Sequence, residues 1–143
     1  MPEIIIVGVD GTETAARAAE QALRLAQGFG ATLHVVTAYE GNKASLHGAN
    51  YERAVIFGDR QEKAAETART VAGRLSADGV QVEAFSVVGT PAEALIAHAE
   101  EHDASVIVVG NRRMKGLARV LGSVANSVAH EAKCNVYIAD TTD

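Results

Sequence analysis

Five short apolar runs alternate along the chain with longer stretches in which alanine and leucine recur at helical spacing. The apolar runs predict strands at 3–9, 31–38, 80–88, 105–109 and 135–139. The helical stretches fall between them, at 12–27, 57–77, 91–102 and 123–132. Apolar runs without alternation are typical of parallel strands covered on both faces. The pattern therefore predicts an α/β fold, a single-domain three-layer α/β/α open twisted sheet of parallel strands over residues 1–143.

Capping and turn residues predict several element boundaries. Thr12 or Thr14 is a candidate N-cap for the first helix. A helix start is predicted at Thr90, with Pro91 as its first residue. Glu93 can hydrogen-bond the backbone N–H of the capping Thr90, as in a capping box. The segment 40–56 has no clear period and predicts an irregular loop. Alternation within 80–88 predicts a strand at the sheet edge.

The loop between the fourth strand and the last helix is the strongest functional signal. Gly110 ends the strand, basic residues follow, and Gly122 opens the helix. Unpaired N–H groups at a helix start bind anions, so the N–H groups of Gly122, Ser123 and Val124 predict a phosphate site. Arg112, Arg113 and Lys115 supply positive charge. The alternative interpretation is a surface loop that ends in an ordinary capped helix.

Ligands of open α/β sheets bind beyond the carboxyl ends of the strands, where the strand order reverses. Asp10 ends the first strand and Gly110 ends the fourth. If the two strands are neighbours, both residues border one crevice. Asp10 also has an alternative role in capping the helix that follows.

Motifs throughout the chain resemble the universal stress protein family. These motifs are VGVDGTETA, LHVV, VVGTPAEALI, VVGN and LGSVANSVAHEAKCNVYIA. The resemblance implies a parallel sheet of order 3-2-1-4-5 and, in the nucleotide-binding members, a G-x2-G-x9-G-[ST] loop. Here Gly110 and the Gly122-Ser123 pair match that pattern. Arg113 replaces the second glycine, and the remaining span is one residue short.

The resemblance also implies a ligand and its contacts. The ligand is ATP or another adenine nucleotide, with or without Mg²⁺. The implied contact residues are Gly8, Val9, Asp10, Val35, Val109, Gly110, Arg112, Arg113, Gly122, Ser123 and Val124. Arg113 either blocks the backbone approach that glycine permits or contributes a guanidinium to phosphate. A cyclic AMP ligand stays open, because one phosphate suits a shortened loop better than three.

The function implied by the resemblance is a stress-response regulator that binds nucleotide without significant catalysis. The family pairs its last strand with that of a second copy, which implies a homodimer through Val136 and Ile138. The alternative is a dimeric interaction module of the same fold that has lost its nucleotide. The sequence contains no recognisable nucleophile with a base, carboxylate pair or dinucleotide fingerprint. We therefore do not expect the protein to be an enzyme.

Composition and charge narrow the possible partners. Apolar residues make up 48% of the chain and charged residues 22%, and the net charge is -5. An acidic protein of this kind is not expected to bind nucleic acid or an anionic membrane. Cys134 is the single cysteine, so no intrachain disulfide is possible. We expect no signal peptide and no membrane span, hence a cytoplasmic protein.

The sequence HAEEH at 98–102 has the H-x-x-E-H order of a zinc-peptidase motif. His98 and His102 share one helix face. A catalytic zinc needs a third protein ligand, and none is evident, since His34, His47 and His130 show no convergent partner. No metal site is therefore predicted, and Cys134 is interpreted as a small buried residue.

Overall fold

The computed structural model of the chain describes residues 3–41, 51–75, 77, 79–111 and 121–141, without the side chains of 51–55 and 57. Strands and helices alternate along it. In chain order they are β1 (Ile4–Gly8), α1 (Glu13–Phe29), β2 (Thr32–Tyr39), α2 (Tyr51–Arg74), β3 (Val82–Val88), α3 (Pro91–His102), β4 (Val106–Asn111), α4 (Ser123–Glu131) and β5 (Asn135–Asp140). The predicted α/β class is confirmed.

All five strands lie parallel in one sheet, in the order β3-β2-β1-β4-β5. β1 is central, and its Ile6 pairs with His34 of β2 and with Ile107 of β4. β3 is an outer strand, which confirms the edge position predicted from its alternation. The order reverses between β1 and β4, so the carboxyl ends of these two strands flank the crevice in which open sheets bind ligands.

Each face of the sheet is covered by two helices. Ile5, Val7 and Leu33 point toward α1 and α2 and are fully buried against their alanines. The small residues of α1, above all Ala18 and Ala22, let this helix lie close to the strands. Ile6 and Val36 point the other way, toward α3 and α4. Two apolar layers therefore enclose the sheet, as continuous apolar strands require.

The predicted helix caps are present. The Thr12 hydroxyl accepts a hydrogen bond from the Ala15 N–H at 3.3 Å, and the Thr90 hydroxyl accepts one from Glu93 at the same distance. α1 ends at Gly30, whose left-handed φ of 66° suits glycine. These bonds satisfy backbone donors that a helix start leaves unpaired.

The prediction of an irregular segment over 40–56 is wrong in its second part. α2 begins at Tyr51 and extends for 24 residues. The glycines and asparagines that suggested a loop all precede position 51, and the stretch 51–56 contains no helix breaker. Within the described segments, no helix has both the length and the hydropathy that crossing a membrane requires.

Candidate functional site

A cleft of about 210 Å³ opens at the carboxyl ends of the strands, where β1 and β4 lie side by side. Its lining comes from three strand ends and from three helices. The lining residues are Gly8, Val9, Asp10, Thr12, Thr14, Ala15, Val36, Ala38, Pro91, Leu95, Val109, Gly110 and Val124. The wall is mostly apolar, and its polar groups come chiefly from the turn between β1 and α1. This position is the one expected of a ligand site in an open parallel sheet.

Close packing forms the floor of the cleft. A Cβ atom added at Gly8 would lie 2.9 Å from Cδ1 of Leu95, a side chain that is 3% exposed. A Cβ atom at Gly110 would lie 3.3 Å from Cγ2 of Thr141 and 3.4 Å from Cβ of Ala18. Both glycines therefore let neighbouring elements approach the strand ends more closely than a side chain would allow.

The turn after β1 holds Asp10 at the rim. Oδ1 of Asp10 accepts hydrogen bonds from the Thr12 N–H at 3.0 Å and from the Thr12 hydroxyl at 2.6 Å. Gly11 provides the positive φ, 88°, that this turn needs. Thr12 rather than Asp10 is the N-cap of α1. Asp10 thus supports the capping residue while its exposed carboxylate lines the cleft.

The start of α4 closes the other side of the cleft. Gly122 is the N-cap residue and makes no side-chain capping bond, and the first turn of α4 contains no acidic residue. α1 and α3, in contrast, each have a threonine cap and a first-turn glutamate. No acidic side chain in the first turn of α4 therefore compensates the positive end of its dipole.

The sequence predicted that the N–H of Gly122 would contribute to a phosphate site. In the structure this N–H is already hydrogen-bonded within the protein. It donates to Oδ1 of Asn111 at 3.2 Å, which ties the end of β4 to the start of α4. Ser123 is exposed and is not part of the cleft wall. Val124, the next residue, does line the cleft. A ligand at this point would meet the first turn of α4 through the backbone beyond Gly122.

Six of the predicted contact residues line the cleft. They are Gly8, Val9, Asp10, Val109, Gly110 and Val124. The resemblance implies a contact through the backbone of Val35, which stays a prediction. The Val35 side chain is buried on the opposite face, toward α1 and α2. Its neighbour Val36 lines the cleft instead. Arg112, Arg113 and Lys115 lie outside the described residues.

Sequence reasoning missed the contributions of helix side chains to the wall. Thr14 and Ala15 of α1 and Pro91 and Leu95 of α3 all line the cleft. The helical spacing of Pro91 and Leu95, four residues apart on one face, is the signal that could have found the second pair.

A second polar cluster lies apart from the cleft, between β2, β3 and α3. Nδ1 of His34 lies 3.0 Å from Nε2 of His98, and Nε2 of His34 lies 3.4 Å from Oε2 of Glu83. His102 completes the group, since its ring centroid lies 4.1 Å from that of His98 and 5.1 Å from that of His34. The prediction that His34 has no convergent partner is therefore wrong. His47 lies outside the described residues, and His130 is exposed.

Burial keeps two of these imidazoles neutral near pH 7. Burial first, and the neighbouring His102 and His34 next, lower the pKa of His98 to about 4. Burial and His102 also lower the pKa of His34, although Glu83 opposes the shift. Burial likewise raises the pKa of the Cys134 thiol, which disfavours its reactive thiolate form. Glu101, the acid of the H-x-x-E-H sequence, is exposed, and the contacts above do not include it.

The open parallel sheet and the cleft at its order reversal define an α/β protein of the doubly wound class. The model of the universal stress protein family matches residues 1–140. The chain therefore belongs to the universal stress protein family.

Relatives of known sequence and structure match almost the whole chain. A universal stress protein of Mycobacterium tuberculosis is 33% identical over 146 residues, which cover 96% of each chain. One from Thermus aquaticus is 36% identical over 140 residues, covering 96% of this chain and 98% of the relative. A crystal structure of a universal stress protein in complex with cAMP is 29% identical, with a TM-score of 0.64 over 98% of both chains.

Proposed function

We propose that the cleft binds an adenine nucleotide and that the protein is a stress-response regulator which works by binding rather than by catalysis. The observation that carries this proposal is a mostly apolar cleft with the start of α4 in its wall, a helix start whose first turn contains no acidic residue. A nucleotide matches these two features, because it joins a flat apolar base to an anionic phosphate. The family membership and the 29% identical cAMP complex support the same ligand class.

Charge sets the orientation of the nucleotide. Phosphate is stabilised at the start of α4 by the helix dipole and by backbone N–H groups beyond Gly122. Asp10, on the other side of the cleft, would repel phosphate but accept hydrogen bonds from ribose hydroxyls. Oδ1 of Asp10 already accepts two bonds from Thr12, so Oδ2 is the oxygen that faces the ribose. The base then lies against the apolar side chains of Val36 and Leu95.

Two ligand candidates, a linear adenine nucleotide and cyclic AMP, differ in the phosphate that each would place at the start of α4. ATP or AMP, with or without Mg²⁺, is the ligand class that the family resemblance implies. A loop one residue shorter than the family pattern favours a ligand with a single phosphate, because it offers less backbone to surround a triphosphate chain. Cyclic AMP has one phosphate, and the structure of a relative in complex with cAMP supports this second ligand.

The chemistry of the lining supports binding without catalysis. Among the described residues of the cleft wall, Asp10 is the only titratable side chain. Nucleophilic catalysis commonly uses a base within hydrogen-bond reach of the nucleophile, and the described wall offers no second titratable group beside Asp10. The hydroxyl of Thr12 is occupied by Asp10 and by its capping role. Any slow turnover would have to come from the nucleotide and Mg²⁺.

Calorimetric titration with ATP, ADP, AMP and cyclic AMP, with and without Mg²⁺, tests the proposal. The decisive variant is Gly122→Glu. Gly122 has a φ of −63°, and a Cβ atom there meets nothing within 4 Å, so the fold should accept the substitution. A new carboxylate about 4 Å from phosphate costs roughly 1–4 kcal/mol, so we expect at least a tenfold loss of affinity. Gly28→Glu is the matched control, because Gly28 is also open and lies at the far end of α1.

Two outcomes would reject the proposal. Equal affinities for wild type and Gly122→Glu would show that the ligand does not lie at the start of α4. No binding of any of the four nucleotides would favour the alternative, a dimeric interaction module of the same fold. Nucleotide that copurifies with the wild type but not with Gly122→Glu would support the proposal independently.

We also propose that the protein forms a homodimer through β5. Asn135 donates its N–H to the carbonyl of Ser105, just before β4, and Thr141 donates to the last residue of β4. The main-chain groups of the alternate residues, Val136 and Ile138, therefore point to the open edge. An outer strand with unpaired donors is a template for a second strand. The molecular mass from solution scattering over a range of concentrations tests this, and a monomer mass throughout would contradict it.

A further inference from the structure

The three histidines of the second cluster come from two separate elements and meet on one face of the sheet. His34 lies near the start of β2 and points toward α3, and His98 and His102 occupy the second half of α3. His34 and His98 are each 3% exposed, and His102 is half-buried. The cleft uses the carboxyl end of β2 and the first half of α3, so the cluster is a separate site nearer the opposite edge of the sheet.

The nitrogen atoms are close enough to share one ion. One ring nitrogen of each histidine lies within 4.8 Å of those of the other two. Two nitrogens on a tetrahedral zinc ion lie about 3.3 Å apart, given Zn–N distances of about 2.0–2.1 Å. The pair formed by His34 Nδ1 and His98 Nε2, at 3.0 Å, is already near this spacing. Small side-chain rotations would bring His102 to the same point.

Glu83 prepares His34 as a ligand. Its Oε2 lies 3.4 Å from Nε2 of His34, and a carboxylate there favours the tautomer with the proton on Nε2. The lone pair of Nδ1 then points to His98, toward the shared point. A carboxylate behind a ligating imidazole is the usual outer shell of a histidine metal site, where it orients the ring and raises its basicity.

The surroundings of the cluster also suit a metal ion. Phe85 packs against all three imidazoles, with ring centroids 4.6, 4.5 and 5.6 Å from those of His34, His98 and His102. An apolar shell of this kind limits water and strengthens coordination. Metal ions bind imidazole in its neutral form. The partial exposure of His102 leaves an entry path.

A direct hydrogen bond between His34 and His98 would satisfy those two rings but would leave the third without a role. We propose that His34, His98 and His102 form a binding site for one borderline-soft divalent transition-metal ion, of which zinc is the probe, with Glu83 as the carboxylate behind His34. Imidazole suits zinc, copper and nickel better than the hard ions magnesium and calcium. Three protein ligands leave a fourth position for water. Bound metal would link β2 to α3 and so stabilise the fold.

Titration of untagged, chelator-treated protein with ZnCl₂ tests the site, with nucleotide omitted. We expect one ion per chain and a rise in Tm of about 5–10 °C at a hundredfold excess over Kd. Co²⁺ in place of zinc should give the visible absorption of a tetrahedral nitrogen site. Magnesium should give neither effect.

Substitutions assign the ligands. His102→Ala removes a half-buried ring and should fold, and we expect it to weaken zinc binding at least a hundredfold, as should His98→Ala. Glu83→Gln keeps the shape of an exposed side chain and should weaken zinc binding about tenfold. His130→Ala is the matched control, since His130 is exposed on α4 and lies outside the cluster. It should bind zinc as the wild type does.

Two results would overturn the proposal. One is a titration in which the protein does not bind one zinc ion per chain. The three imidazoles would then bind only protons and one another. The other is equal zinc affinity for His102→Ala and His130→Ala, which would place the ion elsewhere. If His98→Ala fails to fold, the comparison of His102→Ala with His130→Ala decides the question alone.

Discussion

The contact between Gly8 and Leu95 at the floor of the cleft makes a quantitative prediction about stability. In Gly8→Ala the new Cβ atom would lie 2.9 Å from Cδ1 and 3.1 Å from Cδ2 of Leu95. Carbon atoms pack best at about 3.5–4.0 Å, so the leucine must move by several tenths of an ångström or more. Overpacking of this kind costs about 1–3 kcal/mol. We therefore expect Gly8→Ala to lower the free energy of unfolding by about 1–2 kcal/mol, after the smaller entropic gain from replacing glycine.

Leu95→Ala provides the partner substitution for a double-mutant cycle. Leu95 is 3% exposed, so its truncation should cost about 2–4 kcal/mol by itself. In the Leu95→Ala background the new methyl group of Gly8→Ala enters the space that the leucine has left. The second change should then cost nothing or stabilise slightly, which gives a coupling energy of about 1–2 kcal/mol between the two sites.

Urea unfolding of the wild type, Gly8→Ala, Leu95→Ala and the double variant measures this coupling. It is obtained from the transition midpoints at constant m-value. Gly28→Ala is the control, because a Cβ atom at Gly28 meets nothing within 4 Å and the residue lies within α1. It should raise the free energy of unfolding by about 0.5–1 kcal/mol. Equal effects of Gly8→Ala in the two backgrounds would refute the idea that Leu95 determines the need for glycine at position 8.

Three further predictions concern the other parts of the molecule. Because His98 has a pKa of about 4 in the folded protein and about 6.5 when unfolded, the unfolded chain takes up its proton first as the pH falls. The metal-free protein should lose roughly 2 kcal/mol of stability between pH 7.5 and pH 5 in urea titrations, and His98→Phe should lose much less. Asp10→Asn keeps an acceptor for Thr12 but removes the charge, and should weaken nucleotide binding about tenfold by calorimetry. Ile138→Pro removes an outward N–H without breaking a bond to β4, so sedimentation should show a monomer, whereas Ile138→Val should remain dimeric.

The sequence predicted the order of strands and helices well, because apolar residues form continuous runs in the buried strands but recur every three or four residues in the helices. Continuous runs such as EIIIVGV indicate buried parallel strands, and the alanine spacing of α1 indicates a helix close to the sheet. The start of α2 was misplaced because polar and small residues before position 51 outweighed a stretch without any helix breaker. Boundaries depend on tertiary contacts, which local composition does not contain.

The location of the cleft followed from topology, but its lining did not. Parallel strands end at one edge, so the prediction that Asp10 and Gly110 border one crevice is confirmed. The sequence does not show which of Val35 and Val36 directs its side chain toward the cleft. In a strand buried on both faces, Val35 and Val36 are equally apolar, and no alternation shows which of them points toward α3. Only the packing of helices on each face separates the two residues.

The histidine cluster could have been anticipated in part from the position of His34 in the sequence. His98 and His102 share a helix face by their spacing, but His34 lies 64 residues before His98 in the chain. A histidine inside the apolar run LHVV is nevertheless unusual, because a buried polar side chain needs a partner. Residues 34 and 36 of β2 point to one face, and right-handed crossovers place the later helices α3 and α4 on that same face. The partners of His34 therefore had to come from α3, from α4 or from a neighbouring strand. The histidine pair at helical spacing on α3 satisfies that requirement.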